Sequence, residues 1–238
     1  MRDQADEAAF VTEPLPANQR PADPLFGRLF GLMRQGLVAG GSEMGLGLTL
    51  FSLCTSIRAV TVVEVGRFKG FSTLCLAAGL RFIDDGWDEP AQHKQRPDLD
   101  YGTIERPTPR TLLSIDPFPT PEARALIEEA GLSEYVQFLD ARSDEVELTG
   151  QADLVFIDGD HSYAGCRADV ERFVPRHVRP GGYFVLHDYF GWFDAAGRNG
   201  SPIKQVADEL VAQARYQHLL IDTCYQSFVV FRVPDDDA

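Results

Sequence analysis

A rhythm constrains this chain more than any single motif. Short apolar runs rich in β-branched residues alternate with segments of helical periodicity. "AVTVVEVG" reads as a strand and "FSTLCLAAGL" as a helix. "TLLSID" is a strand, and "PEARALIEEAG" a helix with Pro121 at its start and Gly131 just past its end. "YVQFL" and "ADLVFID" are strands, and "AGCRADVERFV" is a helix with Cys166, Val170, Phe173 and Val174 on one face. "RPGGYFVLHDY" is a tight turn feeding a strand. Strands that are apolar throughout and separated by helices must be covered on both faces, which predicts an α/β, doubly wound, mostly parallel sheet. "HLLIDT" and "SFVVFRV" follow one another with no helix between, so the sheet should close on a C-terminal antiparallel hairpin, giving seven strands.

Before this rhythm begins, two helices are expected, one around Leu25–Met33 and one over Met44–Ile57. Residues 1–24 hold four of the fifteen prolines among polar residues and read as a flexible N-terminal arm, leaving 25–238 as one domain. Residues 83–110 are polar, carry four prolines and lack periodicity; a loop that long in a compact domain suggests an insertion or lid. His93 and Tyr101 lie within this candidate lid, and Trp192 and Phe193 in "FGWFDAAGRNG" could supply an aromatic wall or simply pack.

Composition excludes several classes. A net charge of −14 speaks against nucleic acid as a partner, because phosphate neutralisation needs clustered Lys and Arg. No apolar run approaches the ~18 residues that cross a bilayer, so no membrane role is expected. "MRDQADEAAF" lacks the apolar segment of a signal peptide. The four cysteines, at 54, 75, 166 and 224, have neither zinc-ligand nor disulfide-framework spacing. Cys75 and Cys166 should be small buried hydrophobes, and the expected compartment is a reducing cytoplasm.

Chemistry-bearing residues gather where strands end. In "VVEVGRFKGFSTL", Gly66 and Gly70 follow a strand and precede a helix; Gly66 permits a tight turn, and Gly70 would let a ligand approach a helix N-terminus. With Phe at position 68 the spacing is not the dinucleotide fingerprint. Glu64, at the end of a buried strand, would repel a pyrophosphate but suit an amine-bearing ligand, or else cap the next helix. Asp116, at the next strand end, can accept both hydroxyls of a ribose or simply make a turn before Pro117. Ser143 and Asp144 in "DARSDEV" could meet an adenine edge or cap a helix. Asp158, Asp160 and His161 close the fourth strand, and His187 and Asp188 the fifth. Parallel neighbours lie ~4.8 Å apart, so Asp158 and Asp188 should converge above the sheet.

In this order and spacing, the strand ends resemble those of the class I S-adenosylmethionine-dependent methyltransferases, over about Met44–Val233. Their sheet is Rossmann-like with a terminal hairpin. "FIDGDHSYAGCRADVERFVPRHVRPGGYFVLHDY" is similar to the small-molecule O-methyltransferase branch that includes catechol and macrolide-sugar enzymes. The resemblance implies S-adenosylmethionine as cofactor and a hydroxyl of a natural product, sugar or phenol as acceptor. It also implies a homodimer or higher homo-oligomer. In the motif "EVGRFKGFS" it assigns the cofactor to Glu64, Gly66, Phe68, Gly70 and Ser72, with Glu64 meeting the methionine ammonium. Asp116 would hold the ribose, Ser143 and Asp144 the adenine.

Related metal-dependent enzymes would place magnesium on Asp158 and on the ligands at 187 and 188. His187 departs from that pattern, since imidazole is a poor magnesium ligand and suits transition metals. A divalent metal is therefore one reading; the alternative has Asp158 lining the cofactor pocket while His187 and Asp188 meet the acceptor. For the base, His161 matches the position of the basic residue of catechol-type enzymes, and Asp160 that of macrolide-sugar relatives. Asp160 could also orient His161, or cap the following helix. Two other classes compete: a nucleotide-dependent oxidoreductase, disfavoured by Phe68 and the hairpin, and a binding module without catalysis.

Overall fold

A computed structural model describes residues 31, 44–87, 109–190, 201–222 and 227–235. Among the described residues there are seven strands, β1 (Thr61–Val65), β2 (Thr111–Ile115), β3 (Val136–Leu139), β4 (Ala152–Ile157), β5 (Val178–His187), β6 (Gln217–Asp222) and β7 (Ser227–Arg232). They form one sheet in the order 3-2-1-4-5-7-6. β1 to β5 are parallel, and β7 inserts antiparallel between β5 and β6. The doubly wound sheet and its terminal hairpin are therefore as the sequence predicts.

Two helical layers follow from the pleat. Alternate residues of one strand point to opposite faces, so Val62 and Leu154 join one core cluster while Val63 and Val155 join the other. The first cluster packs under α1 (Met44–Ser56) and α2 (Phe71–Trp87), with Ile127 of α3 (Pro121–Ala130). The second lies under α4 (Tyr163–His177) and α5 (Pro202–Ala212), through Phe173, Val206 and Leu210. Phe156 and Phe184 are fully buried on opposite faces, and truncating either to alanine should cost about 3–5 kcal/mol. Cys75 and Cys166 are buried, as expected of small hydrophobes.

One boundary needs correcting. The segment read as an insertion or lid from residue 83 begins in regular helix, because α2 continues to Trp87. Ile83 is buried, and Asp84 pairs with the buried Arg110 at 2.8 Å. Three turns of regular helix precede Ile83, and the ion pair anchors its charged end to the strand that follows. The rest of that segment, with His93 and Tyr101, lies outside the described residues. So do the arm at 1–24, all but residue 31 of the helix expected near Leu25–Met33, and Trp192 and Phe193.

Crossovers at parallel strands leave the carboxyl ends of β1, β2, β4 and β5 on one edge of the sheet, where ligands of open α/β folds bind. Two backbone bonds lock those ends together. Gly66 donates to the Ile115 carbonyl at 2.9 Å, and Asp158 donates to the Val65 carbonyl at 2.8 Å. Gly66 has φ +88°, and a β-carbon there would stand 2.1 Å from the carbonyl oxygen of Asp158. No other residue fits a turn that packs so tightly on the tip of β4.

Candidate active site

Above this edge lies a cavity of about 640 Å³. Its walls come from the β1 turn (Gly66, Phe68), the β2 tip (Asp116 to Phe118), the loop after β3 (Arg142 to Asp144), the β4 tip with α4, and the β5 tip.

At the floor stand four of the residues singled out by sequence. His187 Nδ1 lies 2.8 Å from Asp158 Oδ1. His161 Nε2 approaches the same oxygen at 3.2 Å, and its Nδ1 stands 3.4 Å from Asp188 Oδ2. The His161 ring thus bridges the two carboxylates and faces the open cavity. Burial alone would raise the Asp158 carboxyl, but the two imidazoles prevail and hold it down at about 2. His161 is shifted upward, chiefly by its hydrogen bond to Asp158, with burial opposing. Asp188 is raised by burial, with both histidines pulling the other way. Its backbone has φ +55°, uncommon for a residue with a β-carbon, and its Oδ1 is buried without a hydrogen bond. Asp158, His187 and Asp188 each bring a ligand atom within 4.8 Å of the others. Two carboxylates, one of which has a buried oxygen with no hydrogen bond, and one imidazole form a donor set that fits a divalent cation of the transition series.

Asp116 also lines the cavity. Its Oδ2 accepts from the backbone N–H of Arg67 at 3.0 Å and of Phe68 at 3.2 Å, and its Oδ1 from Phe118 N–H at 2.9 Å. A carboxylate oxygen accepts about two hydrogen bonds, so Oδ2 is filled while Oδ1 keeps room for a hydroxyl and the turn is held. Phe68, at φ +44°, and Phe118 are 63% and 74% exposed, and they flank the mouth as unspent apolar surface. Ser143 and Asp144 stand in the opposite wall. The Asp144 carboxylate is held by Arg142 at 2.9 and 3.3 Å.

Four expectations are corrected. Glu64 does not reach the cavity: it is fully buried, and Ser72, Thr73 and Ser114 donate to its carboxylate at 2.6, 2.7 and 2.6 Å. Ser72 is accordingly spent on Glu64 rather than on a ligand. Gly70 serves packing, because a β-carbon there would stand 2.8 Å from that of Ala123 on α3. The physical reason is shared: α2 starts so close to β1 and β2 that its first turn is sealed inside. Asp160 lines the cavity, yet its Oδ1 accepts from Ser162 N–H at 2.8 Å at the start of α4, which lowers its pKa. A carboxylate so committed is a weak base, and Asp158 rather than Asp160 orients His161.

Two residues escaped the sequence reading. Arg67, buried inside the glycine turn, donates to the Ser114 carbonyl at 2.8 Å and pairs with Asp140 at the end of β3. It staples the turn to two neighbouring strands, and no sequence signal marked it. Asp169 is a buried carboxylate in the cavity wall. Its signal was an acid three residues after Cys166, on the inward face of α4.

The family model described as a methyltransferase domain matches residues 63–189, more than half of the chain. None of the curated proteins matches in sequence. Solved structures do match in fold. The O-methyltransferase from Bacillus cereus, in complex with SAH, is 18% identical with a TM-score of 0.61, over 90% of this chain and 93% of that one. TomG from Streptomyces achromogenes, an O-methyltransferase involved in tomaymycin synthesis and bound to SAM, is 18% identical with a TM-score of 0.59, over 87% and 89%. The SAH-bound methyltransferase PaMTH1 from Podospora anserina is 15% identical with a TM-score of 0.62, over 94% and 100%. At such identities the likeness is one of fold.

Proposed function

This chain belongs to the methyltransferase-domain family, and from that premise we propose that it transfers the methyl group of S-adenosylmethionine to a hydroxyl of a small molecule. The observation that carries the reading is the His161 ring, held between Asp158 and Asp188 at the floor of the cavity. With Nε2–H donated to Asp158, the lone pair of Nδ1 faces the space beside Asp188. An acceptor hydroxyl bound there gives its proton to Nδ1 as its oxygen attacks the methyl carbon. The carbon–sulfur bond breaks, its electron pair returns to sulfur, and S-adenosylhomocysteine leaves. The sulfonium is already activated, so the protein supplies alignment, a base and exclusion of water. Asp158, whose carboxyl the two imidazoles hold below the usual range, stabilises the imidazolium formed in the step.

On this reading Asp116 takes a ribose hydroxyl through Oδ1, Gly66 and Phe68 line the cofactor's path, and Ser143 with Asp144 borders the adenine. The neighbours solved with SAM or SAH support this choice of cofactor. Six carboxylates line the cavity, against one arginine that Asp144 already engages. That balance disfavours acceptors bearing phosphate or carboxylate and suits neutral or amine-bearing alcohols, sugars and phenols.

The orphaned Asp188 oxygen favours a metal-assisted variant. Asp158, His187 and Asp188 would hold the cation, which would lower the pKa of the acceptor hydroxyl when bound. The exposed Leu219 and Leu220 on the edge strand β6 support the expectation of a homo-oligomer, open to sizing in solution. Methyl transfer from labelled S-adenosylmethionine to a panel of neutral, cationic and anionic hydroxylated acceptors, with and without EDTA, tests the proposal. Tight NAD binding with no S-adenosylmethionine binding would overturn it.

A further inference from the structure

We propose that Asp169 accepts the exocyclic amine of the cofactor's adenine ring, which makes it the residue that distinguishes a 6-aminopurine from a 6-oxopurine. The inference rests on the S-adenosylmethionine reading above and extends it to a residue outside the strand-end motifs.

Placement comes first. Asp169 lies in the second turn of α4 and lines the cavity beside Ala168 and Gly165. Its Oδ2 stands 3.4 Å from where a β-carbon on Gly159 would be, so the carboxylate leans over the backbone of the β4 tip rather than out to solvent. On its other side lies Ser143, in the loop after β3, near enough to draw its pKa down. The carboxylate therefore sits between the loop after β3 and the β4 tip. The base held at Asp158, His161 and Asp188 faces the cavity from the β4 and β5 tips. A cofactor with its ribose at Asp116 and its sulfonium at that base must direct its purine toward Ser143 and Asp169.

Availability comes second. Of the carboxylates in that wall, Asp144 is engaged twice by Arg142, and Asp160 is spent at the start of α4. Asp169 is buried, and among the described residues no lysine, arginine or histidine forms an ion pair with it. Burial pushes its pKa up. A buried acceptor that opens on a cavity calls for a donor. The amino group of adenine is such a donor, whereas a 6-oxo group would put a lone pair against the carboxylate.

Calorimetric binding of S-adenosylhomocysteine and of its 6-oxo counterpart, S-inosylhomocysteine, tests this. The wild-type protein should prefer the adenosyl compound by roughly tenfold or more, because sites built around a polar group reject its mismatch. Asp169→Ala should bind the two within about threefold, since truncation removes both the attraction and the repulsion. Asp169→Asn, whose amide can donate to a 6-oxo group, should narrow or reverse the preference. Equal binding of both compounds by the wild type would refute the inference and leave the cofactor reading intact. So would equal weakening of both in Asp169→Ala, which a purely structural role of Asp169 predicts. Binding of neither compound to the wild type would sink the cofactor reading and this inference with it.

Discussion

His161 and Asp158 are joined by a 3.2 Å contact between Nε2 and Oδ1, three residues apart on the turn that leads from β4 into α4. The contact fixes the ring and, more than any other interaction, raises the pKa of His161. Only the neutral ring can take a proton, so turnover should rise as pH climbs through a pKa above the ordinary 6.5. Asp158→Asn removes the charge that favours imidazolium, and the acid limb of the rate profile should move to lower pH as the maximum falls. A limb that stays put in Asp158→Asn would detach His161 from the titration.

His161→Ala should lower turnover by ~10²-fold or more while leaving cofactor affinity nearly intact. The ring is about half exposed and carries no strand or helix backbone bond, so its loss costs little stability. Single-turnover rates alongside cofactor binding make the check, and wild-type turnover would remove His161 from the chemistry.

Asp116→Ala should weaken S-adenosylhomocysteine binding by about 1–3 kcal/mol, because a ribose hydroxyl loses its acceptor. The same change strands the N–H groups of Arg67, Phe68 and Phe118, so the melting temperature should also fall. Unchanged affinity measured by calorimetry would refute the ribose assignment.

Glu64 gives a stability signature of opposite sign to an ordinary salt-bridged acid. Burial raises its pKa from 4.5 to about 7, against three hydroxyl hydrogen bonds that lower it. Between those values the folded state holds the proton more firmly than the unfolded one, so stability declines as pH rises through the window and then levels. The decline should amount to about 3 kcal/mol at most. Glu64→Gln should flatten it, whereas Glu64→Ala, which strands three hydroxyls, should destabilise at every pH. Urea unfolding at intervals from pH 4.5 to 7 decides the matter.

If the donor set at the cavity floor holds a cation, Mn²⁺ or Zn²⁺ should raise the melting temperature by roughly 5–10 °C at about 100-fold excess over Kd, and Mg²⁺ by much less. EDTA should reverse the rise, and Asp188→Asn should abolish it. An identical melting curve with and without each ion would argue for direct contact of His187 and Asp188 with the acceptor.

Much of the site was legible because its residues stand at strand ends, whose positions follow from the alternation of apolar runs. Once "ADLVFID" and "YFVLHD" are parallel neighbours, Asp158 and Asp188 must meet, and they do. Asp116 was legible for the same reason. Glu64 was misplaced because its register says which face of the sheet it points to, but not that Ser72, Thr73 and Ser114 fill the space in front of it. Asp160 sits one residue from His161, and only the entry angle of α4 turned one toward the helix backbone and the other toward the cavity.

The sequence by itself determined the sheet, its terminal hairpin and the edge on which the candidate site residues gather, because periodicity and turn chemistry act locally and repeat along the chain. The tertiary structure alone decided which of those polar groups are free to act. That Glu64 is sealed, that Arg67 staples three strand ends, and that Asp169 opens on the cavity depend on contacts between residues far apart in sequence. Burial converts such contacts into differences of pKa and hydrogen-bond supply.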